Sequence, residues 1–79
     1  MTNVTQETGV ARVVRARSLT LAELARRARL DHKAVRRAVC GDPVRARTAQ
    51  QVAAVLDFAP IILFGPKDGN GLTRARSLS

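Results

Sequence analysis

The chain is poor in most of what staples a small protein or equips it for catalysis. Its one cysteine, Cys40, excludes an internal disulfide, so a reducing compartment is expected. Trp and Tyr are absent and only Phe58 and Phe64 are aromatic, so the core must be assembled from Ala, Val, Leu and Ile. The single histidine, His32, has only Cys40 within helical reach, and two ligands at that spacing do not make a zinc site. Paired carboxylates, ligand clusters and phosphate loops are also missing, so the expectation is no enzyme, no cofactor and no small-molecule substrate. Long apolar runs are lacking. The longest, Phe58 to Phe64, contains Pro60 and falls far short of the roughly 20 residues needed to cross a bilayer, so no membrane role is expected. The opening "MTNVTQETGVAR" lacks the basic-then-apolar order of a signal peptide, which makes the cytoplasm the expected location.

Acid is the scarcest class relative to its opposite. Six Asp and Glu stand against fourteen Lys and Arg, giving +8 in only 79 residues. Lys33 and Lys67 are the only lysines, so the remaining cations are arginines, which suit bidentate contacts to phosphate and guanine. A single small domain this basic points to a polyanionic partner, because each phosphate it neutralises releases condensed counterions.

Hydrophobic periodicity divides the chain into short helices. Residues 1–5 read as a frayed terminus, and a helix is expected from about Gln6, with Val10, Val13, Val14 and Arg17 on one face and Arg12 and Arg15 outward. "TLAE", Thr20 to Glu23, is a capping box, and the helix it opens places Leu21, Leu24, Ala25 and Ala28 on one side. That helix should end near Arg29. Asp31 is a good N-cap for a third helix and Gly41 a natural C-terminal cap. A fourth helix starting near Arg45 or Thr48 carries Val52, Val55 and Leu56. "APIILFG" is then either a helix opened by Pro60 or a strand. "GPKDGNG" is a breaker, and residues 65–79 read as a flexible basic tail.

Two short helices joined by a tight link at Leu30 form the helix-turn-helix pattern, with Leu24, Ala28, Leu30, Val35 and Ala38 as the shared seam. An ordinary helical hairpin would share that spacing. At 100° per residue, His32, Lys33, Arg36, Arg37 and Cys40 fall within an arc of about 140°, while Ala34, Val35, Ala38 and Val39 fall opposite. Such a split helix has one face for a core and another for a groove. On it, His32, Lys33 and Arg36 are the candidates for base edges. Arg26, Arg27, Arg37, Arg45, Arg47 and Thr48 are the candidates for the DNA backbone.

"LTLAELARRARLDHKAVRRAVCG" followed by "TAQQVAAVLDF" resembles the lambda-repressor-like (Xre/Cro-type) helix-turn-helix domains, with some similarity to the LacI-type headpiece. The resemblance runs from Val10 to about Phe64. It implies an all-α, four- to five-helix bundle over residues 6–64, with the third helix entering the major groove. A short C-terminal strand or hairpin, with "IILF" and "LTRARSL" pairing across "GPKDGNG", is the alternative that the residues themselves leave open. Arg29 stands where the family's turn usually carries Gly, so it must be left-handed or strained, or else helix 2 must lengthen. The family's frequent Gln at the start of helix 2 is replaced by Thr20 or Leu21.

The resemblance further implies a regulator that binds double-stranded operator DNA and represses by occlusion, as small phage Cro and repressor proteins do. Dimers of such proteins span half-sites about 34–36 Å apart. Ile61, Ile62 and Phe64 are the candidates for a homodimer contact, because so small a domain has few ways to bury them all. Two other functions compete: an antitoxin whose tail from Lys67 wraps a toxin, and a non-specific nucleoid or recombination accessory factor. Cys40 reads as a small residue at the helix end.

Overall fold

A computed structural model describes residues 7–77. Among these, the elements run α1 (Gly9–Ala16), α2 (Leu21–Ala28), α3 (His32–Cys40), β1 (Val44–Arg45), α4 (Ala46–Leu56), α5 (Pro60–Leu63) and β2 (Leu72–Thr73). The protein is mostly helical, with one short two-stranded antiparallel sheet. Helices α2, α3 and α4 pack on one another and α1 closes over α3 and α4. Among the described residues, no helix is long and apolar enough to cross a membrane. The expected fray at residues 1–5 lies outside the described residues.

Helix α1 opens at Gly9 because Thr8 caps it: the Thr8 hydroxyl accepts the Ala11 N–H at 3.0 Å. Val10 and Val14 are buried, as their spacing requires. Arg17 shares their stripe but lies at the helix end, exposed, with its guanidinium 5.8 Å from the centre of the Phe58 ring. Helix α2 opens on the anticipated capping box. The Thr20 N–H donates to Glu23 Oε1 at 3.1 Å and the Glu23 N–H donates to Thr20 Oγ1 at 3.0 Å. Glu23 accepts both the backbone N–H and the hydroxyl of Thr20, with Arg27 and Arg26 beside it. The bonds from Thr20 first, and Arg27 and Arg26 after them, hold its carboxyl below the ordinary value against the opposing effect of desolvation.

All four longer helices stop in the same way. A left-handed residue follows the last turn, and the next N–H reaches back six residues, counting both ends, to a carbonyl of that turn. The left-handed residues are Ser18, Arg29, Gly41 and Asp57; the reaching bonds are Leu19 to Val14 (3.0 Å), Leu30 to Ala25 (2.9 Å), Asp42 to Arg37 (2.9 Å) and Phe58 to Ala53 (3.0 Å). Only one of the four is glycine. Arg29, at φ 58° and ψ 46°, takes the left-handed alternative, and α2 ends at Ala28.

The core is aliphatic, as the shortage of aromatics demands. Leu24, Val35, Val52 and Leu56 are fully buried, and Phe64 is the one aromatic residue among the largest fully buried side chains. This overturns the expectation that Phe64 joins Ile61 and Ile62 on an association patch. Ile61 and Ile62 are each 58% exposed, but Phe64 is 1% exposed. The single turn of α5, begun by Pro60, explains the difference. It ends at Leu63, and the chain straightens at Phe64 (φ −126°, ψ 151°), so the ring turns under the turn that presents the two isoleucines.

The segment after Gly65 is not a free tail up to Ser77; it follows the alternative reading, in which the chain returns across "GPKDGNG" and "IILF" meets "LTRARSL" through Phe64 and Ala75. Val44 pairs with Thr73 and Arg45 with Leu72, Phe64 bridges Ala75, and Thr8 bridges Ser77. The breaker "GPKDGNG" makes the return: the Asp68 carboxylate accepts the N–H groups of Asn70 (2.8 Å) and Leu72 (3.0 Å). Those bonds, with Arg74 nearby, hold the Asp68 carboxyl below its ordinary value. Beyond the turn, Thr73 and Ala75 are buried while Arg74 and Arg76 are exposed, a period-two pattern masked by the arginines.

Candidate nucleic-acid interface

Helix α3 carries the candidate reading face. Its seating follows from its apolar side: Val35 and Ala38 are fully buried, and Ala34 and Val39 are half-buried. The opposite arc, His32, Lys33, Arg36, Arg37 and Cys40, is exposed throughout. Asp31 has the N-cap backbone conformation, but its side chain makes no capping hydrogen bond. Its charge still stands at the positive end of the helix dipole.

The far end of α3 is fixed by a residue that periodicity did not single out. The Thr8 hydroxyl donates to the Val39 carbonyl at 2.6 Å while it caps α1, and Thr8 is itself buried. Gly41 lies directly beside it, and a Cβ there would meet the Thr8 methyl at 3.3 Å. The Thr at the start of the α1 pattern signals a cap; nothing in the local sequence signals the bond to α3.

The structure brings some of the candidate residues together and leaves others apart. Lys33, Arg36 and Arg37 line one shallow depression of about 530 Å³ with Cys40 and Asp42. Arg37 also borders a second, between α3 and the start of α4, where it meets Arg45 and Thr48 above Pro43, Val44 and Leu72. His32, Arg26, Arg27 and Arg47 border neither, although all four are exposed. Asp42, Pro43 and Leu72 were not anticipated. Asp42 follows the capping Gly41 and so points along the same face as Lys33, which helical phase alone does not extend to.

Electrostatically the surface is one-sided. Among the described residues the only ion pair is Arg15 with Glu7, at 2.8 Å on the exposed side of α1. None of Lys33, Arg36, Arg37 or Arg45 has a carboxylate within salt-bridge distance among those residues. Their charges are not spent on holding the fold. Cys40 is a free, exposed thiol. No family model, no curated protein and no solved structure matches the chain.

Proposed function

We propose that the protein is a sequence-specific regulator that binds double-stranded DNA through a helix-turn-helix of the lambda-repressor-like kind, with α2 as the supporting helix and α3 as the reading helix. One observation carries the reading. Helix α3 buries Val35 and Ala38 and turns Lys33, Arg36 and Arg37 outward around one depression, with no acidic partner within salt-bridge distance among the described residues. Cations arranged this way meet phosphates and guanine edges in the major groove. Arg36, mid-face, is the residue to read guanine O6 and N7, with His32 and Lys33 beside it toward the helix start. Arg26, Arg27, Arg37, Arg45, Arg47 and Thr48 hold the backbone. Occlusion of an operator is the mode of repression proposed for it.

Pairing on DNA as a homodimer would use Ile61 and Ile62, which α5 presents to solvent. The antitoxin alternative draws less support. It needs the segment from Lys67 as a free arm, whereas Thr73 and Ala75 are buried against the protein's own bundle.

Selection of bound sequences from a random DNA pool, followed by Arg36→Ala, tests the reading. The substitution should cost about 1–3 kcal/mol on the selected site and relax discrimination at one base pair. An equal loss on selected and random duplexes would refute Arg36 as a base reader.

A further inference from the structure

The second depression is built from three separate parts of the chain. Arg37 comes from α3, Arg45 and Thr48 from the junction of β1 and α4, and Leu72 from the returning C-terminal strand. Ala34, Pro43, Val44 and Leu72 line it without side-chain hydrogen-bonding groups. Its lining also includes Arg37 and Arg45, neither with an ion pair among the described residues, and the hydroxyl-bearing Thr48. Guanidinium forks match the paired oxygens of a phosphate, and a hydroxyl adds a single donor. Among the described residues, no carboxylate lines this depression, in contrast to its neighbour, where Asp42 does.

The position of Arg45 depends on the C-terminal strand. Arg45 caps α4 by conformation only, with no side-chain capping bond. Its backbone is held by pairing with Leu72, and the next N–H, that of Ala46, donates to the Gly71 carbonyl at 2.9 Å. Leu72 therefore both lines the depression and positions Arg45, which lines it too.

We propose that Arg37, Arg45 and Thr48 form one seat for a single phosphodiester of duplex DNA, closed on one side by Leu72, so that the C-terminal strand is a positioning element of the interface. The proposal rests on the DNA-binding reading above and adds to it a shared ligand and a dependence on residues 71–73. Because a phosphate contact is independent of sequence, a short duplex of mixed sequence is a sufficient probe.

The test is the salt dependence of binding for the full chain, measured by fluorescence anisotropy. Wild type is compared with Arg37→Gln, Arg45→Gln, the double variant, Leu72→Glu and Leu72→Gln, each checked by thermal melting. Releasing one phosphate reduces the slope of log K against log salt by about 0.9, which corresponds to about eightfold weaker binding at 0.1 M salt. The double variant should lose that amount once, and each single variant less, because the remaining guanidinium still holds the phosphate. Leu72→Glu should match the double variant, since a carboxylate in the wall repels the phosphate, while Leu72→Gln should stay near wild type.

A slope change of about 1.8 in the double variant would mean two phosphates, and no change would mean none; either overturns the seat. Equal losses in Leu72→Glu and Leu72→Gln, accompanied by lowered melting, would make Leu72 merely structural and overturn its positioning role. If Leu72→Glu fails to fold, the two exposed arginines decide the matter of the seat and Leu72→Lys against Leu72→Gln that of the strand. In that case Leu72→Lys takes the place of Leu72→Glu: a cation beside the phosphate should bind the duplex more tightly than Leu72→Gln does at 0.1 M salt, and equal binding by the two would overturn the placement of Leu72 at the seat. Absence of salt-dependent binding by wild type would instead overturn the DNA-binding reading itself.

Discussion

Arg29 offers a test of the turn that joins α2 to α3. It sits at φ 58° and ψ 46°, is exposed, and makes no ion pair among the described residues, so its side chain contributes little that glycine would remove. Holding an L-residue in the left-handed region costs about 1–2 kcal/mol. Glycine escapes that cost but loses roughly 0.5–1 kcal/mol more backbone entropy on folding. The balance favours Arg29→Gly by about 0.5–1 kcal/mol, and a domain of this size gains roughly 2–8 °C in melting midpoint from that. Arg29→Ala is the control, because it removes the same charge and keeps the strained backbone, so it should melt near wild type. Circular dichroism melts of the three proteins at one pH and salt concentration decide it. If Arg29→Gly melts at or below Arg29→Ala, the turn does not run through a left-handed residue at position 29, and the placement of α3 on α2 described above is wrong.

Phe64 and Ile62 lie two residues apart and should respond in opposite ways. Phe64→Ala empties a fully buried position and should cost about 3–5 kcal/mol, enough to unfold much of so small a domain. Ile62→Asp should leave melting nearly unchanged, and sedimentation of its DNA complex should show one copy per site where wild type shows two. A wild-type-like dimer in Ile62→Asp would refute the α5 contact. The two carboxylates held below their ordinary values, Glu23 and Asp68, predict an acid limb. A group whose folded pKa is lowered contributes its stability fully above its unfolded value and loses it as pH falls through the folded one. Melting should therefore be flat above the ordinary values of 4.5 and 3.8 and fall below them. Glu23→Gln and Asp68→Asn should each make that fall shallower. An unchanged acid limb in both variants would show that these hydrogen bonds are not kept in solution.

What could be read from the sequence was whatever depends on neighbours along the chain. The capping box at Thr20 and Glu23 involves residues three apart, and both its bonds are present. The phase of α3 depends only on the helical repeat, which is why Val35 and Ala38 are buried and the five polar positions are not. At Arg29 the resemblance left a left-handed or strained residue and a longer helix 2 both open, and the structure takes the left-handed one. The misreadings share a cause: each depended on partners far away in the chain. Residues 72–77 read as a tail, with a hairpin to "IILF" only as the alternative, because Arg74 and Arg76 dominate their composition. They form a strand only because Val44, Phe64 and Thr8 offer unpaired backbone from three other segments.

The same cause hid part of the candidate site. Arg45 was chosen for its charge and its place before α4, but its position is set by Leu72, twenty-seven residues later in the chain. A leucine between a glycine-rich turn and a basic run carries no local sign of that role. The consequence runs from fold to function. Helix α3 is seated by its packing on α2 and α4 and, at its far end, by Thr8, whose bond to Val39 and cap on α1 are made without the C-terminal segment, so its reading face tolerates change there. The start of α4 is seated by the returning strand, so its grip on the backbone does not. A cut before Leu72 should therefore weaken binding to every duplex more than it relaxes the choice among them. Loss of discrimination in step with loss of affinity would show instead that α3 too is held from the C-terminus, through Thr8 and its bridge to Ser77.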